Sequence, residues 1–422
     1  MSKNLSYFVL TLYFFTYLVP QYIPSIVIAY DRSIIQFFYI SVVNLFSFAI
    51  IFRNLSFNDI ISRFKEKSHI ISYILFLVVA LISVFIAENY IESLFQLTQF
   101  VNFFLAFVSI VIFSSNQNIN FYKYFIFISL IAVFIESFTI NYLVYSAVQT
   151  NGDFLSRNNA FSGPGANTII AAFSLMMKSI VPLFLIFKTK NKWILVISLI
   201  LIYSSFLSVL LLMSRGAVLS MVFVFIFIIF FTLLSRRKIY YIKTSSIMLV
   251  FFLSLSSYNY LNEKNISDIL VDRFSTVSNP QSDNSVNERV NFFSTAISSI
   301  KKRPLLGIGI GNWKIKSIDL SKDIIEGYRV PYYAHNDFLQ FTAEVGILGG
   351  LSFIYFIFYP FLFSLKSFLK SISFNLHFLV FMICGVYIID SMINFPAHRP
   401  MIFIYLCFTL ALFYQSKSLE KN

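Results

Sequence analysis

Charge is scarce in this chain. Only 12% of its 422 residues are Asp, Glu, Lys or Arg, against about 25% in soluble globular proteins, so a water-soluble enzyme is excluded. Cysteine is nearly absent as well. Cys384 and Cys407 are the only two, both fall inside apolar segments, and they read as small hydrophobes rather than as a disulfide framework or a metal site. No Asp-x-Asp motif and no His/Cys/carboxylate group with ligand spacing occurs, so neither a metal nor any other cofactor is called for. No glycine-rich phosphate loop with a lysine is found, which argues against an ATP-driven pump. Nor is there a detectable internal repeat of the kind many transporters carry.

What the chain has instead is apolar bulk. It is 58% hydrophobic, with 54 phenylalanines and 25 tyrosines, and its mean hydropathy is +0.77. That quantity of apolar surface must face lipid or other helices. The fold class expected is all-α, a polytopic integral membrane protein. Cutting the chain at its polar interruptions gives twelve spans near 5–28, 33–52, 69–87, 93–114, 122–147, 166–187, 193–213, 216–234, 244–260, 341–365, 375–395 and 401–416. The first is too long for a signal peptide, lacks a small-residue cleavage site and reads as retained.

The net charge of +13 is mostly a topology signal rather than a mark of nucleic-acid binding. With the N-terminus inside, 17 Lys and Arg residues fall on the cytoplasmic side, and the opposite short loops hold only Arg32, Arg157, Arg215 and Arg399. Both termini are then cytoplasmic. Residues 1–260 carry spans one to nine, residues 261–340 form one large outer loop, and residues 341–422 carry the last three spans and a cytoplasmic tail. The outer loop is nearly neutral, with ten Lys/Arg and nine Asp/Glu, and chemistry is expected there and at the outer span ends.

Within the loop, residues 275–284 have the composition of a linker. Ser285-Val286-Asn287-Glu288 reads as a capping box. Beyond it Val286, Val290, Phe293, Ala296, Ile297 and Ile300 recur at helical spacing, predicting an amphipathic helix that ends at Lys301-Lys302-Arg303-Pro304. Arg289 lies near its start, as a solvated charge or a ligand-binding one. In Leu305-Leu306-Gly307-Ile308-Gly309-Ile310-Gly311 the alternate glycines permit positive φ and close backbone approach; alone they are weak evidence for a phosphate site. His335 lies at the junction of the loop with span ten. Tyr332 and Tyr333 beside it suit either packing or stacking on sugar rings.

Four charges lie at or near membrane depth, where insertion costs about 2.5–3.5 kcal/mol. Glu136 and Lys178 fall at similar depth in consecutive antiparallel spans and are expected to form a structural ion pair. Arg215 and Asp390 lie close enough to the outer surface to meet a ligand headgroup. For Arg215 a helix-end anchor is the alternative, and for Asp390 a helix-packing hydrogen bond.

His335-Asn336, nine residues, then Gly346-Ile347-Leu348-Gly349 resembles the H-[NSQ]-x9-G-x-x-[GTY] pattern of bacterial O-antigen ligases. Arg215-Gly216-Ala217-Val218-Leu219 resembles their R-x3-L pattern. The helix bearing Arg289, the run Pro304-Leu305-Leu306-Gly307-Ile308-Gly309 and the late Asn394-Phe395-Pro396-Ala397-His398-Arg399-Pro400 are similar to the wider O-antigen ligase and polymerase superfamily, as is Asn167 followed by Ala171 and Ala172. The similarity spans roughly residues 160–410.

The resemblance implies a multi-pass protein of the bacterial inner (cytoplasmic) membrane with its active site facing the periplasm. It implies transfer of a glycan from an undecaprenyl-pyrophosphate-linked donor to lipid A-core or another glycan acceptor, with membrane lipid as a further partner and no nucleic acid. By motif position, His335 becomes the catalytic residue, Arg215 and Arg289 the pyrophosphate-binding residues, and Asp390 a supporting residue. Guanidinium groups suit the charge that develops on a leaving diphosphate, and an imidazole suits removal of a hydroxyl proton. Direct attack would invert the anomeric centre without metal. An O-antigen or capsule polymerase is the alternative in the same class, and a non-enzymatic flippase or transporter of lipid-linked sugar the alternative outside it.

Overall fold

The computed structural model describes residues 1–18, 33–64, 66–151, 167–261, 284–321 and 332–420, and every regular element among them is helical. In chain order these are α1 (Lys3–Phe14), α2 (Ser33–Asn54), α3 (Phe57–Ser62), α4 (Lys67–Val84), α5 (Tyr90–Ser114), α6 (Phe121–Asn151), α7 (Thr168–Lys188) and α8 (Lys192–Leu211). They continue as α9 (Arg215–Ser235), α10 (Lys238–Leu261), α11 (Asn284–Lys302), α12 (Trp313–Ser321), α13 (Asp337–Ser371), α14 (Leu376–Ile393) and α15 (Pro400–Glu420).

Ten of the described helices are long and apolar enough to cross a membrane: α2, α4 to α10, α13 and α14. Each coincides with one of the spans expected from hydropathy. The twelfth expected span is the shorter apolar helix Pro400–Ser416. The first is described only as α1 and the 3-10 turn Phe15–Tyr17, since its residues beyond 18 lie outside the described set. The protein is thus a polytopic, all-helical membrane protein.

Polar side chains at the interruptions decide where the spans begin. Asn89 caps α5 by accepting the Glu92 N–H at 3.1 Å, and Asn167 caps α7 through the Ile169 N–H at 2.9 Å. Asn191 does the same for α8 through the Trp193 N–H at 2.9 Å. Each satisfies an amide that the first turn leaves without a partner. Between α8 and α9 the chain reverses through Met213, whose φ is 53°, so the two spans are separate.

The chain forms two compact units: Met1–Ile119, Asn279–Pro360 and Ser391–Asn422 in the first, Asn120–Ser278 and Phe361–Asp390 in the second. In the first, α5 packs against α15, α2, α1 and α4. Its interior is aromatic, with Phe103 stacked on Phe403 at 4.3 Å and Phe76 edge-on to Phe100 at 5.4 Å. Between lipid-facing helices such packing, rather than escape from water, supplies cohesion.

In the second unit α7 packs against α6, α8 and α9. Lys178 Nζ lies 2.5 Å from Glu136 Oε1, both side chains almost wholly buried, and Ser174 Oγ donates to the same carboxylate oxygen at 2.9 Å. The expected ion pair is present. Two charges that would each be costly in the membrane interior neutralise one another, with a hydroxyl added.

Candidate active site

The site is built in the first unit, where α11 and the turn after it meet the start of α13. The glycine turn comes first. Gly307, Gly309 and Gly311 all have positive φ, as does Gly346, which kinks α13. A Cβ at Gly307 would collide with the Glu344 carbonyl, and one at Gly346 with the Leu305 carbonyl. Their absence lets two backbones touch and exchange hydrogen bonds: Ile308 N–H to Ala343 O at 3.0 Å, Gly309 N–H to Glu344 O at 2.9 Å, and Ile347 N–H to Pro304 O at 2.8 Å. The Gly311 N–H donates to Glu344 Oε2 at 3.0 Å. These amides are engaged by α13, so the glycine run is a docking turn and not a phosphate cradle.

Glu344 organises what surrounds that turn. Besides Gly311 its carboxylate accepts the Trp313 N–H at 3.2 Å and Gln340 Nε2 at 3.2 Å. Gln340 Oε1 in turn accepts the Ala334 N–H at 2.9 Å. The residue before His335 is therefore tied, through Gln340, to the carboxylate that holds the glycine turn.

The amphipathic helix forms as α11, but its buried face differs from the expected one. Phe292, Thr295, Ala296 and Ser299 are buried, whereas Val290 is 49% and Ile297 43% exposed. Phe292 and Ala296 pack with Trp313, Ala334 and Ala343. Ala296 is buried as the periodicity expects and Ile300 packs against the same cluster, but the face is rotated towards Phe292, Thr295 and Ser299, where the small Ala296 side chain packs with Trp313. The side chains of Ser285 and Val286, and the linker residues 275–283, lie outside the described residues.

His335 sits against this face. Its ring is parallel to that of Phe292, with centroids 6.2 Å apart, and edge-on to Phe395 at 5.0 Å. Its backbone is left-handed, with φ 55°, a conformation that costs about 1–3 kcal/mol and is held by its neighbours. Asn336 supplies part of the hold: Oδ1 accepts the Leu339 N–H at 3.0 Å and Nδ2 donates to Met392 O at 3.0 Å. Asp337 Oδ2 accepts the Ala397 N–H at 2.9 Å. Nδ1 of His335 is buried with no hydrogen-bond partner among the described residues.

Burial, then the charge of Arg289 and that of Arg399, lower the His335 pKa to about 4, against a smaller opposing effect of a hydrogen bond with Asn394. The imidazole is neutral at pH 7 and a weaker base than an exposed histidine.

The segment Asn394–Arg399 completes the wall. Tyr333 stacks on Phe395 at 4.2 Å, and the Arg399 guanidinium carbon lies 4.7 Å from the Phe395 centroid and 5.8 Å from that of Tyr333. His398 is buried, with Nδ1 3.1 Å from Gln96 Nε2 and Nε2 3.5 Å from Gln340 Nε2. Burial, then Arg399 and Lys314, push its pKa down to about 3, so it is a neutral packing group.

The structure thus brings Arg289 and His335 together and adds Arg399, which the sequence reading placed in the late Asn394–Pro400 run and among the outer-loop charges but gave no site role. Its signal was present: it follows the Asn394-Phe395-Pro396-Ala397-His398 run directly. Arg215 and Asp390 belong to the second unit. Arg215 is the first residue of α9, where Ser214 Oγ accepts the Ala217 N–H at 3.4 Å. Asp390 lies in the last turn of α14 and is 2% exposed.

Residues 199–354 match the O-antigen ligase family. They carry an O-antigen ligase domain. The matched stretch includes Arg215, Arg289 and His335, and ends before Asp390 and Arg399. No curated protein matches the chain. The matched family is one of bacterial membrane proteins acting on lipid-linked glycans, and glycan transfer of the ligase or polymerase type is what the match over these residues supports.

Proposed function

We propose that this protein is an O-antigen ligase, transferring a glycan from undecaprenyl diphosphate to a hydroxyl of lipid A-core on the periplasmic face of the inner membrane. The observation that carries the reading is the neutral imidazole of His335 with the charge of Arg289 acting on it, both within the residues that match the O-antigen ligase family.

The acceptor oxygen attacks the anomeric carbon and forms the new glycosidic bond. The bond from that carbon to the diphosphate oxygen breaks, and its electron pair leaves with undecaprenyl diphosphate. The acceptor proton passes to His335, a general base worth about 10²–10⁴-fold. Arg289 takes up charge developing on the diphosphate through charge-assisted hydrogen bonds. Displacement in one step inverts the anomeric centre. Arg215, as a second diphosphate ligand, and Asp390, as a supporting carboxylate, enter this reading on their motif positions alone.

The test is incubation of purified protein with carrier-linked glycan and, separately, lipid A-core or a second carrier-linked glycan. Mass gained by lipid A-core supports ligation. Mass gained only by the second carrier-linked chain would make the protein a polymerase.

A further inference from the structure

The wall of the His335 site holds a cation that the transfer reaction as described does not use. Arg399 closes the 3-10 turn Pro396–His398 and directly precedes α15, and its N–H donates to Pro396 O at 3.0 Å. The turn is anchored twice more, by the Ala397 N–H on Asp337 Oδ2 and by Phe395 against Tyr333. Over that anchored pair of rings the guanidinium is held by the negative π-faces rather than left to wander in solvent. The centre of the Phe395 ring is 4.7 Å from the guanidinium carbon of Arg399 and 5.0 Å from the centroid of His335. One aromatic side chain thus spaces a fixed cation from the imidazole.

Charged and titratable groups reach His335 from each element around it. Arg289 comes from α11; Arg399 and the neutral His398 come from the turn; Asp337 at the start of α13 has one carboxylate oxygen on the Ala397 N–H. Asn394 adds a hydrogen bond. The two cations dominate the charge that acts on the imidazole, and an anion of matching size is what such a pair recognises.

We propose that Arg399 is a diphosphate-binding residue: it and Arg289 together hold the donor's diphosphate beside His335, and the imidazole becomes an effective base only once the donor is in place. The proposal rests on the glycan-transfer reading of this site. Its physical content is a field reversal. Without donor, burial and two positive charges hold His335 near 4. A diphosphate brings opposite charge to the same place, and an opposite charge within about 4–6 Å moves a pKa by roughly 1–3 units. Donor binding therefore restores the basicity that the cations remove, and base strength is tied to the presence of the group that needs it.

The experiment uses the full-length protein in lipid nanodiscs, with undecaprenyl diphosphate as binding probe and carrier-linked glycan plus acceptor as substrates. In the wild-type enzyme the acid limb of kcat/KM reports the donor-free protein and that of kcat the donor complex. The kcat limb is expected at least one pH unit above the kcat/KM limb; coincident limbs would overturn the proposal without recourse to any variant.

Arg399→Gln is expected to weaken undecaprenyl diphosphate binding at least tenfold and to raise the kcat/KM limb, narrowing the gap. Arg399→Lys, which keeps the charge, is expected to retain most of the binding. If Arg399→Gln binds the probe and titrates like wild type while Arg289→Gln loses binding, the role given to Arg399 is wrong and the transfer reading stands. If the wild-type protein neither binds the probe nor transfers glycan, the transfer reading itself fails, and this inference with it.

Discussion

The imidazole of His335 and the ring of Phe292 are nearly parallel, with planes 12° apart and centroids separated by 6.2 Å. Phe292 belongs to the helix that also carries Arg289, one turn earlier, so a single helical face sets both the base and its neighbouring cation. Phe292→Leu keeps the apolar volume but removes the flat partner. We expect glycan transfer to fall by about 10-fold or more, since small errors in placing a catalytic group are costly, while abundance in the membrane stays near wild type. Equal loss of both would reduce Phe292 to a packing residue.

The docking of the glycine turn on the kinked helix leaves no room for a side chain at Gly346. Gly346→Ala places a methyl group against the Leu305 carbonyl at a residue whose φ is 78°. Strain of this kind costs about 1–3 kcal/mol before the collision is counted, so folded protein in the membrane is expected to drop severalfold. Gly349→Ala meets mainly the Val345 side chain, which can rotate, and is expected to be milder. The check is the monodisperse fraction recovered after detergent extraction.

For the pair of Lys178 and Glu136, removing either partner leaves a buried charge uncompensated, with a penalty of about 3–5 kcal/mol. Lys178→Met and Glu136→Gln should each lower abundance more than the double substitution does. Simple addition of the two losses would argue against coupling.

Acid should weaken the fold through His335. Its folded pKa is lowered from the usual 6.5 to about 4. The stability linked to keeping it neutral is complete above about pH 6.5 and is lost as pH falls towards 4, because the unfolded chain binds the proton first. His398, pushed to about 3, acts in the same direction over a wider window. The wild-type Tm is therefore expected to fall between pH 7 and pH 4.5 by more than the Tm of His335→Phe. An equal fall in both proteins would contradict the assignment.

Much of the architecture was legible from hydropathy alone, because a span of about 20 apolar residues is a strong physical constraint. The ion pair was legible too: Glu136 and Lys178 lie at matching depth in consecutive spans, and membrane charges seek partners. The positive φ angles of Gly307, Gly309 and Gly311 followed from glycine's freedom, but their purpose did not. That Gly309 donates to the Glu344 carbonyl depends on a kink 37 residues later in the chain. The buried face of α11 was legible only in part, at Ala296 and Ile300, for a related reason. Period and size point to Val290 and Ile297, whereas the face was chosen by Trp313 and His335, whose positions no local pattern reveals. Arg399 escaped notice as a site residue because its importance comes from Phe395 and Tyr333, a stacked pair that forms only when the 3-10 turn closes on the loop before α13.

The most direct test is glycan transfer by purified His335→Ala and Arg289→Ala proteins reconstituted in vesicles, each confirmed to be present at normal level. The account predicts that both fall at least 100-fold below wild type with carrier-linked glycan and acceptor at saturation, in keeping with loss of a general base or of leaving-group stabilisation. Transfer by either protein at close to the wild-type rate would contradict it.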